Sequence, residues 1–268
     1  MDNILQADDF YKKIAVGTIG FLSSISFIGT IAFCVMLLKT SKSRHHAFSY
    51  KNLLLVFLQI SVTGYLGGHA GYIWTLDKAT YVIQSFFANS LFFCYIQASW
   101  SRASEILAKT ATKLVYNCFR VFIVIASLMS CAPIVTLIFT YESDYINTAV
   151  TAAGVCTFVS DLIFGFTYFS YLLNRTVESV EVNGLESDTV LLFGIIARFG
   201  IATTLSAFSS LICAVILMGI LSTRVNDIGM YTILQILQDL FLFFTVVSLA
   251  SMKVRLIRYK QELQNSFS

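Results

Sequence analysis

Residues 229–260 read GMYTILQILQDLFLFFTVVSLASMKVRLIRYK. From Gly229 to Met252 the one charged side chain is Asp239, and then Lys253, Arg255, Arg258 and Lys260 follow in quick succession. An α-helix rises about 1.5 Å per residue, so the apolar part is long enough to cross the roughly 30 Å of hydrocarbon in a bilayer. Such a run ending in a cluster of cations reads as a membrane span that leaves the bilayer on its cytosolic side.

Working back from that segment, six more runs qualify: Ile14–Leu38, Asn52–Trp74, Tyr81–Leu107, Val121–Tyr141, Ile146–Leu173 and Thr189–Leu221. The third, fifth and sixth exceed the minimum and must tilt or extend past the membrane surface. The composition agrees: of 268 residues 57% are hydrophobic, 12% are charged and one is proline, with a mean hydropathy of +0.76. A soluble domain carries about 25% charged residues, so soluble enzymes, disordered tails, collagen-like repeats and disulfide scaffolds are excluded. The expected fold is an all-α membrane protein: a single domain, residues 1–268, forming a seven-transmembrane helix bundle with a basic tail at 253–268. Asp2, Asp8 and Asp9 precede a first run too long for a cleaved signal peptide. Cys34, Cys94, Cys131, Cys156 and Cys213 lie within apolar runs and Cys118 in a basic stretch, so no disulfide is expected.

Lysine and arginine in the short connections set the orientation. Thirteen fall on the side that holds Lys39, Lys51, Lys113 and the tail, with Arg102 at the edge of the third run; four (Lys12, Lys13, Lys78 and Arg224) fall on the other. The C-terminus is therefore expected in the cytosol and the N-terminus outside. The outer connections Thr75–Thr80, Glu142–Tyr145 and Ser222–Ile228 are too short to fold by themselves, so an extracellular ligand would have to enter the bundle. The sequon Asn174-Arg-Thr176 falls on the cytosolic side, where it should stay unmodified.

Ionisable residues within a bilayer are costly and point to function. Asp161, Arg198 and Asp239 are the deep ones. Counted from the inner ends of their runs, Asp161 and Arg198 differ in depth by about 5 Å, which an arginine side chain spans. They are expected to form a structural ion pair or to snorkel, to act as a lock between two bundle states, or to contact a ligand. Asp239 has Gln235 one turn before it, and Gln84, Asn89, Gln97, Gln59 and His69 lie on other spans. Gln84, Gln97, Asp239 and His69 are the candidate ligand-binding residues; interhelical hydrogen bonding is the other reading of these groups. Arg102 and Glu105, three apart on one face, mark the membrane boundary or form a switch at the cytosolic mouth. Gly64, Gly67, Gly68 and Gly71 allow close helix approach on the second span. A Walker loop, H-E-x-x-H and cysteine–histidine metal spacings are all missing, so neither an enzyme nor a bound metal or cofactor is expected, and no nucleic-acid partner.

Three stretches resemble the cyclic-AMP-receptor-like branch of the G-protein-coupled receptors. Ser23-Ser-Ile-Ser-Phe-Ile-Gly29, followed by Phe48-Ser-Tyr-Lys51, is similar to that branch's S-S-L-S-F-x-G and F-S-F-K pattern. Gly165-Phe-Thr-Tyr-Phe169 and Val246–Arg255 are the others, the last resembling a final span that breaks into a basic amphipathic tail. The resemblance implies a plasma-membrane receptor that binds a small ligand within the bundle and meets a G protein at its cytosolic face. The contact face would be the Phe48–Lys51 loop, the Arg102–Arg120 region and the tail. The tail by itself reads as an anchor to anionic membrane lipid. The chain departs from that branch in lacking a cysteine at Tyr81–Gln84 and in an acidic third inner loop with Glu178, Glu181, Glu186 and Asp188. Other seven-helix plans stay open: a transporter or channel with a polar path near Asp239, a scaffold, or an opsin-related protein. The last would lack the retinal lysine, since Phe243 stands one turn after Asp239 and Lys253 is at the cytosolic exit.

Overall fold

Why the chain is helical follows from where it sits: in hydrocarbon no water satisfies backbone groups, so each segment must close its own hydrogen bonds. The computed structural model describes residues 2–40, 49–139, 152–157, 159–160, 162–165, 167, 187–223 and 228–266. Among these residues no strand occurs. The helices are α1 (Asp2–Thr40), α2 (Tyr50–Thr75), α3 (Lys78–Thr110), α4 (Lys113–Phe139), α5 (Ser187–Thr223) and α6 (Ile228–Ser266). All six contain a stretch long and apolar enough to cross a membrane. The 146–173 run contributes a shorter apolar helix, Ala152–Gly165, within which Phe158 and Asp161 lie outside the described residues.

α1 packs on α2, α2 on α3, α3 on α4 and α5 on α6, and α6 returns to pack on both α1 and α2. The main core joins Ile19 and Leu22 of α1, Leu58, Val62 and Leu66 of α2, Leu91 and Tyr95 of α3, and Val246 and Leu249 of α6. A second cluster joins Ile96 and Leu107 of α3, Ile123 of α4 and Phe164. The outward faces are apolar as well: Phe21, Ile28 and Leu128 are each about two-thirds exposed (65%, 66% and 68%), an arrangement that suits lipid and not water. All six cysteines are free.

Three helices run well past the spans read from the sequence, α4 among them, which starts at Lys113, eight residues before Val121. The segment before Ile14 is helical from Asp2, with an exposed Lys13–Asp9 ion pair of 2.6 Å one turn apart. The final span does not break into a separate tail. Between Met252 and Ser266 there is neither glycine nor proline, and Val254 and Ile257 pack against a cluster of Phe33 and Leu37 of α1. The helix therefore continues, Tyr259 is buried, and the tail's apolar face meets protein while Arg255 and Arg258 stay exposed.

The tightest approach lies between α2 and α3. A Cβ on Gly68 would sit 3.0 Å from the Gln84 backbone, and one on Gly64 would enter the ring of Phe87. The two helices join through a short turn in which Leu76 takes the left-handed conformation (φ 53°) and its amide donates to the Tyr72 carbonyl at 2.7 Å. Gly68→Ala should lower stability by about 1–3 kcal/mol, because backbone cannot yield as a side chain does. Gly71→Ala, whose new methyl would meet Thr80 at an ordinary 3.6 Å, should be tolerated. Thermal unfolding of the purified protein in detergent compares the two; equal effects would show that the α2–α3 approach is not a constraint.

Candidate functional site

α2 and α6 each carry two polar side chains one helical turn apart, Tyr65 and His69 on the first, Gln235 and Asp239 on the second. Spacing of i,i+4 places each pair on one face, and the α2–α6 contact turns the two faces together. The Tyr65 hydroxyl donates to Asp239 Oδ1 at 2.9 Å, and His69 Nδ1 lies 2.6 Å from Asp239 Oδ2. His69 Nε2 meets the side-chain amide nitrogen of Gln235. From α3 the Gln84 amide reaches the Tyr65 hydroxyl, because the close approach at Gly68 brings the start of α3 against α2. The result is one hydrogen-bonded chain through three helices: Gln84, Tyr65, Asp239, His69, Gln235.

This chain is sealed: Asp239 is 0% exposed and His69 3%. His69 and Gln84 are each six residues from the α2–α3 turn, or about 9 Å along their helices. Proton positions follow from the donors present. With the Gln235 amide nitrogen facing it, His69 Nε2 must accept, so Nδ1 carries the proton and donates to the carboxylate. Gln84 Oε1 is the loose end, a buried acceptor with no hydrogen-bond partner. Gln59 Oε1 and Asn89 Oδ1 are in the same condition on α2 and α3.

Three of the four candidate ligand-binding residues, Gln84, His69 and Asp239, thus meet in one network, and Gln97 does not join them. Thirteen residues beyond Gln84 on α3, it donates to Ser127 Oγ at 2.8 Å and receives a long contact of 3.4 Å from the Tyr50 hydroxyl. It ties α3 to α4. Arg198 is exposed on α5. Asp161 and the side chains of Arg102 and Glu105 lie outside the described residues, so neither proposed ion pair has a described geometry. Sequence reasoning missed Tyr65, although its place one turn before His69 was a signal for it. Among the described residues, no three histidine, cysteine, aspartate or glutamate side chains cluster as metal ligands.

Elsewhere the interhelical polar contacts are hydroxyl ties. Thr63 Oγ1 donates to the Gln59 carbonyl at 2.8 Å, so Ser26 Oγ must donate to Thr63 at 2.7 Å, while Ser23 Oγ reaches the Thr63 carbonyl at 3.1 Å. Between α5 and α6, Ser210 Oγ donates to the Gln238 carbonyl at 3.2 Å. Such neutral contacts contribute about 0.6 kcal/mol each in a bilayer, far below what is at stake in a sealed carboxylate.

No family model matches the chain, and neither does any curated protein or solved structure. What it does has to be read from its own residues.

His69→Leu should destabilise the bundle by about 3–5 kcal/mol, since it strands a buried carboxylate with a single donor. The double variant His69→Leu/Asp239→Leu removes both partners and should recover most of that loss, a coupling that a double-mutant cycle measures. Unfolding midpoints in detergent for wild type, both single variants and the double variant decide it. Additive losses would mean that the two side chains do not act as a pair.

Proposed function

We propose that this protein is a seven-transmembrane receptor with its N-terminus outside and its C-terminus in the cytosol. It binds a small ligand at the Asp239–His69–Tyr65–Gln84 network and signals through its cytosolic face to a G protein, most naturally at the plasma membrane. In this reading the 146–173 run supplies the seventh span. The observation that carries the proposal is the sealed network itself: a carboxylate held between α2 and α6 in a network that reaches α3, toward the end of the bundle that the orientation rule places outside. A ligand that exchanges one of those hydrogen bonds for its own changes how α2, α3 and α6 are held together. It shifts the bundle between states by as much as it binds them differently.

Two further features support a receptor over a conduit. Asp239 is closed off from solvent, and Gln97 belongs to the α3–α4 contact, so Gln84, Asp239 and Gln97 do not share one hydrogen-bonded path. The opposite end of the bundle presents exposed Lys39, Lys51, Lys113, Arg120, Arg255 and Arg258, a cationic face suited to an acidic partner or to anionic headgroups.

Nucleotide exchange on a set of purified G proteins, with the protein in lipid nanodiscs, tests this. Asp239→Asn should change basal exchange by about fivefold or more, the ratio set by a coupling of ~1 kcal/mol. No exchange above background with any G protein, at normal expression, would sink the receptor reading in favour of a transporter or scaffold. The orientation has its own check. Expressed in a secretory pathway, the chain should carry no glycan at Asn174, and a glycan there would reverse the topology.

A further inference from the structure

The hydrogen-bond chain around Asp239 can be completed in two ways. With the Gln235 nitrogen toward His69, the imidazole is neutral, Nδ1–H donates to Asp239, and the site carries one net negative charge. If the Gln235 amide turns over, its Oε1 faces the ring and accepts from a protonated Nε2. The site then holds an imidazolium and a carboxylate and is net neutral. Every atom of the pair keeps a partner in both arrangements. They differ by one proton, which bonds to the Nε2 lone pair, and by one amide rotation.

We infer that the His69–Asp239 pair is a proton-binding site, with the proton as the ligand of this buried network and His69 Nε2 as the atom that takes it. Because the pair is buried, a charge on it is not screened by bulk solvent, and a proton taken up there is felt by the whole network. Gln235, against Nε2, is only half-buried and lies one turn nearer the Ile228 end of α6 than Asp239 does. Near that same end the rings of Tyr72 and Tyr81 meet at a tilt of 53° with centroids 5.3 Å apart.

The other ionisable groups around the pair leave it the one charged centre at its level among the described residues. α2 adds Tyr65 and Tyr72, α3 adds Tyr81 beside the neutral Gln84, and α6 adds Tyr231. α1 brings apolar Ile19 and Leu22 to the shared core, and its Lys12 lies further out over the Trp74 ring at 5.9 Å. On α5, Ser210 reaches the Gln238 carbonyl, while Arg198 is exposed and about 18 Å further along that helix.

This inference deepens the receptor reading by naming the ligand class of its site, and it can be tested without any signalling partner. The chain has three histidines, so His45→Gln with His46→Gln leaves His69 alone to be observed. With imidazole-15N labelling in lipid nanodiscs, magnetic resonance should show one protonated and one bare ring nitrogen at about pH 8. Both nitrogens should be protonated at about pH 5, reversibly, the window in which histidine serves as a switch. Asp239→Asn removes the counter-charge and should move the midpoint. A His69 spectrum unchanged across the window overturns the proposal, and so does an identical midpoint in Asp239→Asn. The first of these readings needs no substitution within the network. A normal titration with no G-protein exchange at either pH would keep the proton site and remove only the receptor reading.

Discussion

A carboxylate shut away from water must be given donors by protein, and Asp239 takes both of its donors from a single helix. Tyr65 and His69 stand one turn apart on α2 and grip the two oxygens separately, so the rotation of α2 about its axis is set by α6. Leaving such a charge without its partners costs several kcal/mol, more than the hydroxyl ties at Ser26–Thr63 or Ser210–Gln238 contribute together. Other contacts have to be compatible with that grip. α1 packs along both helices and α3 lies against the same α2.

The glycines of α2 serve the same end from the other side. Tyr65 needs a partner for its lone pairs once its proton is given to Asp239, and Gln84 supplies it. Gln84 comes within reach because Gly68 lets the α3 backbone approach to where a Cβ would sit 3.0 Å away. The short turn at Leu76 and Asp77 then fixes the register, so that residues six positions either side of it, His69 and Gln84, end at a similar depth. Close packing and polar chemistry in this region are therefore one design, in which small residues on α2 bring amide and hydroxyl into line.

Much of this was legible before any coordinates. Apolar length and scarce charge located the helices, because membrane crossing is a demand on length and composition that each segment meets alone. Asp239, His69, Gln84 and Gln235 stood out because polar groups are rare in such runs. Tyr65 did not, since tyrosine is common here and its role depends on which helix faces it. Gln97 went the other way: it looked like part of the Asp239 site and serves the α3–α4 contact through Ser127. Helix ends were harder still. The turns of α1 before Ile14, and of α6 beyond Met252, are set by helix propensity and by packing such as Ile257 on the Phe33–Leu37 cluster, which hydropathy does not read.

α6 is held by two kinds of contact along its length, polar around Asp239 and apolar beyond it. Around Asp239 the helix is held by hydrogen bonds to one carboxylate beside the apolar packing of Ile236 and Leu240. Farther along it is held by Val246, Leu249, Ala250 and Ile257 in apolar clusters, which respond to shape and not to charge. Between Asp239 and Arg255 the helix has neither glycine nor proline to bend at, and sixteen residues span about 24 Å. In the receptor reading, a change of grip at Asp239 would reach the exposed Arg255 and Arg258 through this segment, whose far end is packed on α1 at Val254 and Ile257. A two-state bundle needs an element that both sites bias. In this chain α6 is the helix that carries both the buried carboxylate and the exposed cationic face.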